Sequence, residues 1–152
     1  RLPTEAEWSW ALRYEGTPGA LRFPWGRDWP PRGNAGNYAD QPADGLVPTL
    51  IPGYDDGFAS TAPVGSFGRN AAGLADGGGN VAEWVNDFYS VPTPGQTSAV
   101  VDPLGPERGN TRVIRGSSWK HAGMTELRLS YRDHDDEPRP DVGFRIARSL
   151  DE

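Results

Sequence analysis

The sequence predicts an α+β, loop-rich single domain with few helices. Three observations carry this expectation: a helix start signal at the N-terminus, twenty Gly and fifteen Pro spread without a period among six Trp, and strand-like runs late in the chain. At 152 residues with 36% hydrophobic content the chain matches one domain with one filled core. The tryptophans argue against a disordered or low-complexity segment, so the Gly and Pro are read as turns.

The helix signal lies in Arg-Leu-Pro-Thr-Glu-Ala-Glu at 1–7. Thr4 can accept from the first-turn amides while Glu7, three residues on, reaches back to the Thr4 amide. A helix over 4–14 follows, with Trp8, Ala11 and Leu12 on one face and Gly16 and Pro18 placed to end it. Residues 23–67 show little periodicity and read as ordered loop. A loop of that length is functional or held by something, and without cysteine a bound ion is the natural candidate. Residues 80–88 read as a short helix or turn, 112–119 as a strand leading into a turn, 133–141 as a polar acidic stretch, and 142–147 as a closing strand.

Twenty-one acids against fifteen bases leave a net charge of −6. That balance disfavours nucleic acid and anionic membrane surfaces as partners. Among the bases only Lys120 is lysine, and guanidinium groups favour fixed planar pairing. The absence of cysteine removes disulfides, thiolate metal sites and a thiol nucleophile. No apolar run approaches the roughly 20 residues of a membrane span, and no leader-like segment opens the chain, so a soluble and cytoplasmic protein is expected.

Six segments in order resemble the formylglycine-generating-enzyme (sulfatase-modifying-factor) superfamily: Arg-Leu-Pro-Thr-Glu-Ala-Glu-Trp at 1–8, Phe-Pro-Trp-Gly at 23–26, Thr-Ala-Pro-Val-Gly at 61–65, Gly-Asn-Val-Ala-Glu-Trp at 79–84, Arg-Val-Ile-Arg-Gly-Ser-Ser-Trp at 112–119, and Gly-Phe-Arg at 143–145. The resemblance implies a variant of the C-type-lectin fold, with a small twisted antiparallel sheet, few helices and long loops. It also implies elements upstream of Arg1, supplied by another chain or leaving a sheet edge exposed. In the family's copper oxidases a cysteine pair follows the Gly-Ser-Trp-like turn; His121 and Glu126 occupy the matching positions. Copper-thiolate formation of formylglycine is therefore excluded.

Hard cations such as calcium take six to eight oxygens, mixing carboxylates with carbonyls of Gly-rich turns. The run from Asp76 to Glu83 has that character, and the resemblance maps a calcium site onto the Asp76 and Glu83 side chains with the Gly79 and Val81 carbonyls. A second calcium site maps onto the Asn37 and Asp56 side chains with the Tyr38 and Phe58 carbonyls, and Asn34 competes with Asn37. The alternative for both is a turn whose Asn and Asp side chains bond only their own backbone. His121 and Glu126 are candidate catalytic or metal residues, or an ordinary hydrogen bond. Arg112, Arg115, Arg128, Arg132 and Arg145 with Asp133, Asp135 and Asp136 form either an anion groove or a salt-bridge lattice. Trp84, Trp119 and Tyr131 are expected in the core more than on a recognition surface.

Three functions remain open. The leading one is a calcium-stabilised binding module, or a partial catalytic domain, for an unidentified protein or peptide, alone, as a homo-oligomer or with a second chain. The second is a non-haem iron oxidoreductase resembling sulfoxide synthases, whose further ligands lie elsewhere, since only His121 and His134 are present. The third is a ligand-display protein like those of diversity-generating retroelements, ranked last because 120–133 contains no Asn.

Overall fold

The computed structural model describes residues 1–13, 21–92, 95 and 99–149. Helix α1 spans Glu5–Arg13 and starts as the capping pattern requires. The Glu7 amide donates to Thr4 Oγ1 at 3.1 Å and the Thr4 amide donates to Glu7 Oε2 at 2.7 Å. Trp8 and Leu12 are buried. Tyr14, Gly16 and Pro18 lie outside the described residues.

Four strands form one sheet in the order β3-β2-β1-β4: β1 (Ala82–Phe88), β2 (Arg112–Arg115), β3 (Arg132–Asp135) and β4 (Val142–Phe144). β2 pairs antiparallel with both neighbours, whereas β4 joins β1 in parallel, Ala82 opposite Val142 and Trp84 opposite Phe144. The sheet is therefore mixed where an antiparallel one was expected. β4 follows β3 after only residues 136–141, which carry the chain past β2 and β1 to the opposite edge of the sheet, where it runs parallel to β1 and no hairpin joins the two.

Residues 80–88 correct the helix-or-turn expectation, because 82–88 is the central strand. Its inward face carries Glu83 and Asp87 beside Val85, all buried, so hydrophobic alternation could not announce it. The inward acids are satisfied by α1: Trp8 Nε1 donates to Glu83 Oε2 at 2.7 Å and the Glu5 amide to Asp87 Oδ2 at 2.7 Å. β3 emerges from the expected acidic stretch for a related reason, since Arg-Asp-His-Asp offers no apolar residue to a pattern. Of 142–147, only 142–144 is strand, although Arg1 and Ala147 exchange backbone hydrogen bonds beyond it.

Trp8, Leu12, Val85, Val113 and Leu129 pack between α1 and the sheet. A second cluster, Phe23, Tyr38, Ile51, Tyr54 and Leu127, lies inside the long loop region. Phe23 stacks on Trp25 at 4.9 Å, and Trp25 meets Tyr38 edge-on at 5.2 Å. The loop over 23–67, for which a bound ion was the natural candidate, thus has an aromatic staple of its own as well. Trp84, Trp119 and Tyr131 are half-buried, at the edge of the core instead of inside it.

Of the five arginines expected to pair, Arg115, Arg132 and Arg145 form ion pairs among the described residues, with partners other than Asp133, Asp135 and Asp136. Arg132 forks onto Glu5 at 2.6 and 2.9 Å, with Arg115 3.5 Å from the same carboxylate. Arg139 collects Asp133, Asp135 and Asp141. Arg112 lies over the Phe88 ring and donates to the Asn86 carbonyl. No helix among the described residues is long and apolar enough to cross a membrane.

Candidate metal centre

Asp76, Gly79, Val81 and Glu83 come together around one cavity of about 150 Å³, lined also by Asn80 and Arg145. The turn is built by residues in the left-handed region, Asp76 (φ 50°), Gly79 (φ 79°) and Asn80 (φ 63°). At Gly79 a side chain is impossible without movement: a Cβ would stand 2.5 Å from the Asn37 carbonyl oxygen. Asp76 accepts from the Gly65 amide at 2.6 Å and from the Phe67 amide at 3.4 Å. Glu83 enters the cavity already paired, its two oxygens receiving Arg145 Nε and Nη2 at 2.6 Å each. A cation held here would share that carboxylate with a guanidinium, so this donor set carries less net negative charge than its two acids imply.

The second group is richer in unused oxygen. Asn37 is wholly buried; its Nδ2 donates to the Ser60 carbonyl at 2.6 Å, and its Oδ1 has no donor. The Tyr38 and Phe58 amides donate to the two oxygens of Asp56 at 2.8 and 2.9 Å, and the Asp56 amide donates to Asp40 Oδ2 at 2.5 Å. Burial raises the carboxyl of Asp56, and raises that of Asp40 to about 6, where the Asp56 charge adds to the upward push. Among the described residues neither forms an ion pair with a Lys, Arg or His. Asn34 turns away to the Ser66 carbonyl, leaving Asn37 as the amide beside Asp56. A buried carbonyl oxygen without a donor, next to carboxylates without a countercharge, fits a hard cation.

These two groups touch. The Asn80 amide donates to the Asn37 carbonyl at 2.8 Å, and Asn80 exchanges side-chain bonds with Ala62 at 2.9 and 3.1 Å. The Ala39 amide in turn donates to the His121 carbonyl at 3.1 Å, joining the loop to the third candidate position.

His121 and Glu126 are not hydrogen-bonded to each other among the described residues. The Ser118 amide donates to His121 Nδ1 at 3.0 Å, and the Gly123 amide donates to Glu126 Oε2 at 3.1 Å. Each side chain closes its own turn. With Nδ1 accepting, a neutral ring carries its proton on Nε2, and burial lowers the His121 pKa, against the opposing pull of Glu126 and Asp141. Ser118 Oγ donates to Asp141 Oδ2 at 3.0 Å, so the serine serves the carboxylate while its amide serves the imidazole. Among the described residues no three His, Asp or Glu side chains gather as metal ligands, so a cation here must draw on amide and carbonyl oxygens.

Sequence reasoning missed Asp40, Ser118 and Asp141, none of which stood out among ordinary turn residues. It grouped Arg145 with Asp133, Asp135 and Asp136, whereas its partner is Glu83, which also accepts from Trp8, so the partnership spans three of the quoted motifs.

Residues 1–150 match the model of the sulfatase-modifying factor enzyme 1-like domain. The formylglycine-generating enzyme of Streptomyces coelicolor is 37% identical over 99% of this chain and 47% of its own length. The hercynine oxygenase of Mycolicibacterium smegmatis is 33% identical over 97% of this chain and 32% of its own length. Among solved structures, Treponema denticola variable protein 1 superposes with a TM-score of 0.73 at 31% identity, covering 95% of this chain and 45% of that one. The chain thus spans under half the length of these relatives. With its motifs, its small mixed sheet and its loop-rich framework, it belongs to the sulfatase-modifying factor enzyme 1-like domain family.

Proposed function

We propose that this domain is a calcium-stabilised binding module, or part of a larger catalytic assembly, that does not generate formylglycine. One observation carries the reading: the chain has no cysteine, and the two positions matching the oxidases' copper-thiolate pair are spent on local hydrogen bonds, His121 to Ser118 and Glu126 to Gly123. A thiolate is both the copper ligand and the reactive group in that chemistry, and neither an imidazole bound through Nδ1 nor a carboxylate tied to an amide replaces it. Asn37 and Asp56 with the Tyr38 and Phe58 carbonyls would hold one calcium, and Asp76 and Glu83 with the Gly79 and Val81 carbonyls a second. Calcium supplies countercharge, and the chain's own residues hold the loops that present a surface to a protein or peptide. Incubating the purified domain with copper, oxygen and a cysteine-containing sulfatase peptide should leave the peptide unchanged by mass spectrometry. Formation of an aldehyde would overturn the exclusion.

A second reading, an iron-dependent oxidoreductase, is supported by the 33% identity to a hercynine oxygenase. His121 would then be one ligand and the others would come from outside these residues. Elemental analysis separates the two: stoichiometric iron lost on His121→Ala supports the oxidoreductase, and calcium without iron supports the module.

A further inference from the structure

Three hydrogen bonds draw residues 37–40 against the loop beginning at Asp56. They run from the Tyr38 amide to Asp56 Oδ2, from the Asp56 amide to Asp40 Oδ2, and from Asn37 Nδ2 to the Ser60 carbonyl. Two oxygens are left over, Asn37 Oδ1 and Asp40 Oδ1, both inaccessible to water and both without a donor. Each belongs to a residue with 0% exposure. The Asp40 and Asp56 carboxylates lie close enough to interact directly, and no basic side chain among the described residues compensates them. A fully buried carboxylate beside a half-buried one, with a stray amide oxygen at hand, is an unfavourable arrangement for the protein alone. A role as brace for the Asp56 amide accounts for Asp40 Oδ2 and leaves Oδ1 unexplained. An asparagine would brace the amide as well, without the charge.

We infer that Asp40 is a third side-chain ligand, with Asn37 and Asp56, of one hard divalent cation, which makes this site dianionic. The inference rests on the calcium reading above, which assigns Asn37, Tyr38, Asp56 and Phe58 and not Asp40. Hard cations need six to eight oxygens and gain affinity with each carboxylate, so Asp40 adds to both the count and the charge. It also gives the 37–40 segment two side-chain anchors on the ion, at Asn37 and Asp40, besides the Tyr38 carbonyl, across from the loop that carries Asp56.

Calorimetric titration of calcium into the unaltered domain, Asp40→Asn and Asp76→Asn, with melts in excess calcium and in chelator, tests this. Asparagine keeps an acceptor for the Asp56 amide. Asp40→Asn should weaken one calcium site at least tenfold, melt below the unaltered domain in calcium, and melt at or above it in chelator, where a repelling charge has been removed. A bracing role alone, which asparagine preserves, would leave the affinity unchanged and shift both melts by the same amount. An affinity within twofold of the original, or equal losses with and without calcium, overturns the assignment of Asp40 and leaves the calcium reading intact. An unaltered domain that takes up no calcium overturns both. Should Asp40→Asn not fold, the side-chain carboxyl carbon of Asp40 in the labelled, unaltered domain decides: its NMR resonance moves on calcium addition if it is a ligand, and a static resonance refutes the claim.

Discussion

Replacing Glu83 with Gln keeps the shape of the side chain and removes its charge at the point where helix, sheet and C-terminal strand meet. Glu83 is held by three donors, Arg145 Nε and Nη2 at 2.6 Å and Trp8 Nε1 at 2.7 Å, and its side chain is 9% exposed against 22% for Arg145. Removing one partner of a buried ion pair costs about 3–5 kcal/mol, because the other charge stays desolvated. Two features lower that figure here: the Gln carbonyl still accepts from Trp8, and the partial exposure of Arg145 lets water reach it. The expected loss is about 2–3 kcal/mol, a fall in melting temperature of roughly 4–12 °C for a domain of this size. Urea unfolding in excess chelator measures it without any contribution from a bound ion. The double variant with Arg145→Gln should cost less than the sum of the singles, by about 1–2 kcal/mol of coupling. A loss below about 1 kcal/mol, with single effects that simply add, would refute the view that this pair locks β4 and its continuation onto β1.

Leu129→Ala removes a side chain that is 1% exposed between α1 and the sheet, and should cost about 3 kcal/mol in urea unfolding with an unchanged denaturant slope. Gly79→Ala drives a Cβ to 2.5 Å from the Asn37 carbonyl at φ 79°, so a loss of about 2 kcal/mol or more is expected, together with weaker calcium uptake at both sites. His121 has a folded pKa below its ordinary 6.5, because burial disfavours the charged ring. Its contribution to stability is therefore complete above the unfolded pKa and is lost as pH falls from about 6.5 toward the folded value. Stability measured from pH 7.5 to 5 should decline, and His121→Asn should flatten that slope; an identical slope in the variant would show that another group sets it.

The candidate site was partly legible. Asp76, Gly79, Val81 and Glu83 do line one cavity, since they sit on one short turn and local spacing places them. Asn37 and Asp56 are 19 positions apart in number and still meet, because the bonds from Asn37 to Ser60 and from Tyr38 to Asp56 close the loop between them. Asp40 escaped notice because an aspartate in a loop is ordinarily solvated, and only the folded loop region takes water away from it, leaving it wholly buried.

Sequence alone determined the start of α1, where Thr4 and Glu7 act within one turn, and strand β2, where Val113 and Ile114 form a buried apolar pair. It also determined the absence of thiol chemistry, which is a matter of composition. Tertiary structure alone decided that β1 is a strand, that β4 runs parallel to it, and that Arg145 belongs to Glu83, 62 residues away. Inward-facing charge erases the apolar periodicity by which a strand is read, and the partner that makes such charge tolerable is brought by the fold and not by its neighbours in the chain.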